Sequence, residues 1–126
     1  MSGYRIERVG RLLQEKIGAL IVEGRIKDPR VDSFLSVTRV SMSRDLAYGD
    51  VYVSSYKSPE GLDRGVAGLQ SAAGFIQAQL AGQLHMRHTP HLRFHADPGV
   101  REEFDLIKKI EGLVGDENQR RPIADQ

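Results

Sequence analysis

The hydrophobic positions in the first half of the chain follow two periods. Between residues 4 and 23 apolar side chains recur three and four positions apart, which predicts an amphipathic helix that ends near Gly24. Residues 34–42 and 48–56 are instead rich in valine and serine, and a short polar turn separates the two segments. This pattern predicts two strands paired as an antiparallel hairpin.

The first predicted strand does not alternate regularly. Leu35 and Val37 fall on one face of an extended chain, whereas Val40 and Met42 fall on the other. We therefore expect either a β-bulge in this strand or an environment that buries both of its faces. The segment before the strand, residues 27–30, contains a proline and is predicted to be a structural turn.

A second apolar stripe follows Ser58, which is typical of a helix start because a proline and a glutamate occupy the next two positions. The stripe keeps helical spacing to about Leu84, but Gly74 interrupts it. A glycine inside a helix costs about 0.5–1 kcal/mol relative to alanine. Two interpretations stay open: a helix that tolerates one glycine, or a kink at Ala72-Ala73-Gly74 that another backbone approaches closely.

Beyond the central helix the pattern changes twice. Residues 91–96 alternate cleanly between apolar and polar side chains, which predicts a third strand with one wet face. A last helix is expected after Asp97, with inward-facing apolar side chains at Val100, Phe104, Ile107, Ile110 and Val114. The remaining sequence is polar and aperiodic, so we expect one domain over residues 1–114 and a disordered tail over residues 115–126.

The predicted order of elements is helix, strand, strand, kinked helix, strand, helix. A long helical connection separates the second strand from the third, so the third strand can lie parallel to a neighbour. The fold class is therefore α+β, a three-stranded sheet with helices packed on one face and the other face at least partly open.

Composition narrows the functional classes. The 126 residues carry a net charge of +1 and no cysteine, which excludes a disulfide framework, a thiolate zinc site and a cysteine nucleophile. Residues 1–95 hold 13 Lys/Arg against 9 Asp/Glu, whereas residues 96–126 hold 5 against 8. The basic body fits either a polyanionic partner or ordinary solvated surface. Because no apolar run has transmembrane or signal-peptide character, we expect a cytoplasmic protein without a membrane partner.

Motifs for catalysis are absent from the sequence, which contains no P-loop, dinucleotide fingerprint or nucleophile elbow. The four histidines fall between positions 85 and 95, where Thr89-Pro90 separates them into two pairs. A transition-metal site needs three or four converging ligands. We therefore predict no catalytic residue, metal, cofactor or small-molecule substrate, and a histidine metal site is kept as a minor alternative.

Basic side chains are the remaining candidates for function. They occur on the first helix, on the first strand and its turn, and around the third strand: Arg5, Arg8, Arg11, Arg39, Arg44, Arg87, His88 and Arg93. Contact with phosphates is the natural use of such groups. The competing interpretation is a protein-interaction module that uses its open sheet face or the exposed edge of the third strand, residues 91–96.

Several segments stand in an order and spacing that are characteristic of one bacterial family. They are Lys27-Asp28-Pro29-Arg30, Val40-Ser41-Met42-Ser43-Arg44-Asp45-Leu46, Val51-Tyr52-Val53-Ser54, Leu69-Gln70-Ser71-Ala72-Ala73-Gly74-Phe75-Ile76, and Leu84-His85-Met86-Arg87-His88-Thr89-Pro90-His91-Leu92-Arg93-Phe94 followed by Asp97. With these segments the chain resembles the ribosome-binding factor A family over residues 4–113.

The resemblance implies a type II K-homology-like (KH-like) fold, in which an Ala-x-Gly kink replaces the usual Gly-x-x-Gly loop. It implies a non-catalytic assembly factor that binds the ribosomal RNA of the immature small (30S) subunit. Members of the family assist late maturation, including processing of the 5′ end of this RNA, and are tied to growth in the cold. The resemblance adds Ala72, Ala73, Gly74 and Gln77 to the expected RNA-binding residues, and we expect a monomer. Gln77 stands where the family often has arginine.

Overall fold

The computed structural model describes residues 2–97 and Ile110. Within this range three helices and three strands follow one another in the predicted order. Their bounds are α1 Ser2–Val22, β1 Leu35–Met42, β2 Tyr48–Ser55, α2 Pro59–Ser71, α3 Ala73–Leu84 and β3 His91–Ala96. The predicted helix start is confirmed, since Ser58 caps α2 by accepting a hydrogen bond from the Gly61 N–H at 2.9 Å.

The sheet has the strand order β1-β2-β3. β1 and β2 are antiparallel, as the hairpin prediction requires, and β3 lies parallel to β2, as the helical crossover predicts. Polar side chains of the hairpin turn hold its backbone. Ser43 Oγ accepts from the Tyr48 N–H at 2.9 Å, and Asp45 Oδ1 accepts from the Ala47 N–H at 3.0 Å.

A β-bulge interrupts β1 and explains its irregular pattern. The pairing register shifts between Val37 and Arg39, so Thr38 is the additional residue. After the bulge Val40 and Met42 return to the helix-covered face, where both pack against the core. Of the two explanations that the sequence offers, the bulge is confirmed.

The core lies between one face of the sheet and the three helices, and burial of its apolar surface stabilises the fold. Gly10 and Gly65 let the helices come close to β1. A Cβ on Gly10 would lie 2.9 Å from the Val40 carbonyl oxygen, and one on Gly65 would lie 2.6 Å from the Leu35 methyl groups. Every element contributes buried side chains: Leu13, Ile17, Leu20, Ile21, Leu35, Val37, Val51, Val53, Leu62, Leu69, Ile76, Leu80, Leu92 and Phe94.

The opposite face of the sheet exposes polar and aromatic side chains, among them Tyr48, His91 and Arg93. The predicted α+β class, with helices on one face of a three-stranded sheet, is confirmed. Ile110 is half exposed, in contrast to its predicted inward position. The rest of the predicted last helix (Val100, Phe104, Ile107, Val114) and the predicted tail over residues 115–126 lie outside the described residues.

Candidate nucleic-acid interface

α2 and α3 meet at Ala72, which has backbone angles of φ −91° and ψ 7°. Its N–H donates to the Gly68 carbonyl at 3.0 Å, and its own carbonyl accepts from the Ile76 N–H at 3.0 Å. Both hydrogen bonds keep helical spacing, and the interruption lies in the ψ angle of Ala72, which separates α2 from α3. The predicted kink at Ala72-Ala73-Gly74 is present, and its break falls at Ala72 rather than at the glycine.

Gly74 lies in the first turn of α3 and is exposed. Outside its own helix turn, no heavy atom of residues 2–97 lies within 4 Å of the position that a Cβ would take. Its φ is not positive, unlike that of Gly24. Packing within the described part of the chain therefore does not require glycine here, and the space next to it is open to another molecule.

The connector between α1 and β1 packs against this helix join. Arg30 forms a two-point ion pair with Asp28, at 2.7 and 3.0 Å, and donates its backbone N–H to the same carboxylate at 2.9 Å. Arg30 Nη2 also donates to Ser71 Oγ at 3.1 Å, at the end of α2. Gly68 permits the approach, since a Cβ there would lie 2.9 Å from Val31 Cγ2. The predicted turn is confirmed, and it is fixed onto the join.

The ion pair sets the charge of this connector. The hydrogen bond from the Arg30 side chain, together with that from the Arg30 backbone N–H, lowers the pKa of Asp28 from 3.8 to about 2. The hydrogen bond to Asp28 in turn raises the pKa of Arg30. Both groups are charged at neutral pH, so the carboxylate is neutralised by its own neighbour.

A cleft of about 370 Å³ opens between the connector and the join. This join cleft is lined by Arg25, Lys27, Asp28, Ser71, Ala72 and Phe75. Arg25 Nη2 donates to Gln79 Oε1 of α3 at 3.1 Å. Lys27 is exposed and forms no ion pair with another described residue. The cleft therefore combines cationic groups with the ring of Phe75, which is 42% exposed.

Sequence interpretation missed Arg25, Lys27 and Phe75 as site residues. Two of the three had a signal: Lys27 belongs to a segment that carries the family resemblance, and Phe75 directly follows the kink, whereas nothing in the pattern singles out Arg25. What the pattern does not show is that the connector folds back onto α2, which depends on a contact between Arg30 and Ser71 across 41 positions.

Arg5, Arg8 and Arg11 are exposed along the N-terminal half of α1. None of the three forms an ion pair within the described range. The 21 residues of α1 span about 31 Å. The three arginines lie in its N-terminal half, whereas the join cleft adjoins the connector that follows its C-terminal end. The structure therefore places Arg5, Arg8 and Arg11 in a cationic patch, the α1 patch, that is separate from the join cleft.

Arg39 and Arg93 lie on the sheet face away from the helices. The Arg39 guanidinium carbon is 4.2 Å from the centre of the Tyr52 ring, and Arg93 donates to Asp50 at 3.0 and 3.1 Å. His95 Nε2 is 2.8 Å from the same carboxylate. Partial burial alone would raise the pKa of Asp50, but the hydrogen bonds from His95 and Arg93 outweigh burial and lower it. Both arginines are thus engaged on the open face, away from the join.

The other predicted contacts are in exposed loops. Arg44 lies in the hairpin turn, and Arg87 and His88 lie between α3 and β3. Among the residues that the structure describes, no three His, Cys, Asp or Glu side chains converge as a metal site would require. No described helix is long and apolar enough to cross a bilayer.

Gln77, a predicted RNA contact, is bonded to the backbone of β3. Its Oε1 accepts from the Leu92 N–H at 3.0 Å. Gln70 Oε1 accepts from the Phe94 N–H at 2.9 Å, and Gln70 Nε2 donates to the Leu92 carbonyl at 3.2 Å. Helix side chains thus occupy the outer edge of β3 at Leu92 and Phe94, so these backbone groups are not available to pair with another chain.

The sequence is similar to that of known proteins over most of its length. Residues 5–110 match the family described as Ribosome-binding factor A. The Ribosome-binding factor A of Treponema denticola is 48% identical over 113 residues, which are 90% of this chain and 86% of that protein. The Ribosome-binding factor A of Thermomicrobium roseum is 39% identical and covers 98% of this chain and 94% of its own length.

Solved structures show the same architecture. The crystal structure of ribosome-binding factor A from Thermus thermophilus matches with a TM-score of 0.60 and 27% identity, over 72% of this chain and 94% of that one. A homology model of the Thermus thermophilus factor, fitted into the cryo-EM map of a 30S complex, matches with a TM-score of 0.51 and 27% identity, over 69% and 93% of the two chains. This chain therefore belongs to the ribosome-binding factor A family and has its KH-like fold.

Proposed function

We propose that this chain is a non-catalytic assembly factor that binds the ribosomal RNA of the immature small subunit, in the cytoplasm and as a monomer. In this role it assists late maturation, including processing of the 5′ end of the small-subunit RNA, and supports growth in the cold. Two findings support the proposal. Its relatives are named as ribosome-binding factors rather than as enzymes, and the Thermus thermophilus relative was fitted into a 30S complex.

The observation that carries the proposal is the exposed helix join beside three cationic side chains. Gly74 leaves an open position on α3. Arg25 and Lys27 line the adjoining cleft, and Arg30 is held at Ser71. A phosphate backbone is bound through positive charge together with close approach, and the join supplies both.

The other proposed RNA contacts differ in availability. The α1 patch is exposed and unpaired within the described range, so it is free to meet phosphates. Arg93 and Gln77 already have partners within the fold, so we expect them to contribute less. Ala73 is buried in the core, so its side chain is not available for contact. The contacts proposed beyond the join cleft and Gly74 are Arg5, Arg8, Arg11, Arg39, Arg44, Gln77, Arg87, His88 and Arg93.

Sucrose-gradient sedimentation of cell extract at low and high salt tests the proposal. The protein should travel with the small subunit at low salt and leave it at high salt, because each neutralised phosphate adds about 0.7–0.9 to the slope of log affinity against log salt. A variant with Arg8→Glu and Arg11→Glu should associate more weakly while it stays folded. Absence from the subunit fractions at both salt concentrations contradicts the proposal. Unchanged co-sedimentation of the folded double variant removes the α1 patch from the interface.

A further inference from the structure

We propose that the join cleft is a nucleotide pocket: it holds one unstacked nucleotide of single-stranded RNA, with the base against Phe75 and the phosphate at Lys27 and Arg25. This inference deepens the proposed function and rests on it, since it names what the surface next to the kink recognises. It concerns residues that sequence interpretation left out of the site.

The ring of Phe75 supplies a stacking surface. Phe75 lies in the first turn of α3, at the wall of a cleft of about 370 Å³, and 42% of it is exposed. Pockets that bind small organic ligands have volumes from about 300 Å³ upward, so the volume of this cleft is sufficient for one nucleotide. Sequence-specific RNA recognition uses unstacked bases on aromatic side chains. An exposed phenylalanine at the mouth of such a cleft fits this use.

The charges around the cleft favour a phosphate. Lys27 has no ion-pair partner in the described range, and the only carboxylate that lines the cleft there, Asp28, is bound by Arg30 at 2.7 and 3.0 Å. Arg25 donates a hydrogen bond to Gln79 and forms a solvent-exposed ion pair with Glu23 at 3.7 Å; Glu23 does not line the cleft. The cleft is therefore cationic while its carboxylate is already neutralised, and an anion would not be repelled there.

The ring decides between RNA and an acidic peptide as the occupant. Cationic side chains would attract either polyanion. A carboxylate-rich peptide would gain little from a planar apolar surface, whereas each nucleotide carries a planar base beside its phosphate. The combination of Phe75 with Lys27 in one cleft therefore favours RNA.

A second phenylalanine provides a matched control. Phe34 is 46% exposed, and Lys57 Nζ stands 5.3 Å from the centre of its ring. The control pair thus has the same two residue types, and its phenylalanine has a similar exposure; Lys57, unlike Lys27, is ion-paired, with Asp32 at 3.4 Å. The control pair does not line the join cleft.

The test is an NMR titration of the ¹⁵N-labelled full chain with a hexa-adenylate RNA and with the same hexamer lacking its bases. Amide shifts should centre on Lys27, Ser71 and Phe75. Phe75→Leu should weaken binding of the hexamer about tenfold, which is within the range for loss of one stacked base, and should leave binding of the abasic hexamer unchanged. Lys27→Gln should lower the salt slope by about 0.7.

The control variants Phe34→Leu and Lys57→Gln should bind both probes as the wild type does. The inference is overturned by any of three results: amide shifts that avoid the cleft or do not occur, equal losses in Phe75→Leu and Phe34→Leu, or equal affinity of the wild type for the two hexamers. An acidic peptide that binds the cleft more tightly than the hexamer also overturns it. Thermal unfolding of each variant shows whether it is folded.

Sedimentation separates this inference from the proposed function. If the wild type and Phe75→Leu travel equally with the small subunit and bind the hexamer equally, the pocket is wrong while subunit binding stands. If the hexamer binds in the cleft but the protein does not associate with small subunits, the proposed function is wrong while the nucleotide pocket stands.

Discussion

Gly68 and Gly74, the two glycines next to the helix join, differ in the space that their surroundings leave for a Cβ atom. Gly68 is buried under the connector, where a Cβ would lie 2.9 Å from Val31 Cγ2 and 3.0 Å from Arg30 Cβ. Gly74 is exposed, and outside its own helix turn and chain neighbours no heavy atom of the described residues lies within 4 Å of that position. The fold therefore requires glycine at position 68. At position 74 a requirement for glycine would come from a bound molecule.

This difference predicts opposite effects of alanine on stability. Gly74→Ala should raise the free energy of unfolding by up to about 1 kcal/mol, because alanine favours the helix and restricts the unfolded chain. Gly82→Ala, at a second open position of α3, should act in the same way. Gly68→Ala should lower the free energy of unfolding by about 1–3 kcal/mol, because the added methyl group overpacks the contact with the connector. Urea unfolding measures all three, and a destabilised Gly74→Ala would show that packing explains this glycine.

The Asp28–Arg30 ion pair predicts a pH dependence. The pKa of Asp28 in the folded state is about 2, below its ordinary value of 3.8. The ion pair's contribution to the stability of the fold is therefore complete above pH 3.8 and is lost as the pH falls through about 2. Asp28→Asn should therefore be less stable than the wild type near neutral pH. The difference in thermal midpoint should narrow between pH 4 and pH 2, and a constant difference over this range contradicts the assignment.

At the scale of elements, two glutamines tie both halves of the kinked helix to one strand. Gln70 comes from α2 and Gln77 from α3, and both bond to the backbone of β3 between Leu92 and Phe94. This arrangement fixes the two helices relative to each other across the break at Ala72. It also satisfies backbone groups that an edge strand would otherwise expose.

Replacing either glutamine should speed hydrogen exchange at the one amide of β3 whose N–H donates to it. Gln70→Ala should speed hydrogen exchange at the Phe94 N–H, and Gln77→Ala should speed it at the Leu92 N–H. Gln70→Ala, which loses two hydrogen bonds, should also cost about 1–3 kcal/mol of stability. Gln83→Ala, an exposed glutamine of α3, is the control. Unchanged exchange at both amides would contradict the arrangement.

For the whole molecule, periodicity and turn chemistry were sufficient to predict the architecture. The helical and alternating patterns located the described elements, and the long crossover allowed the parallel pairing of β3. The interrupted alternation at Val37 and Val40 indicated either a bulge or a strand buried on both faces, and the structure has the bulge. The residues of the candidate RNA-binding site could be predicted from these patterns only in part. A polar residue such as Gln77 has the same pattern whether it meets solvent, RNA or a strand backbone. The join cleft lies where the connector packs against the end of α2, and no local pattern encodes this contact, in which Arg30 and Ser71 meet across 41 positions.

If small-subunit RNA approaches the chain at the helix join, as we propose, two alanine variants of α3 should differ in subunit binding. Gly74→Ala and Gly82→Ala change the same helix in the same way, and both positions are open in the structure. In co-sedimentation with purified immature small subunits, Gly74→Ala should bind more weakly than the wild type, while Gly82→Ala should bind equally well. Equal binding by two stably folded variants would contradict this proposal.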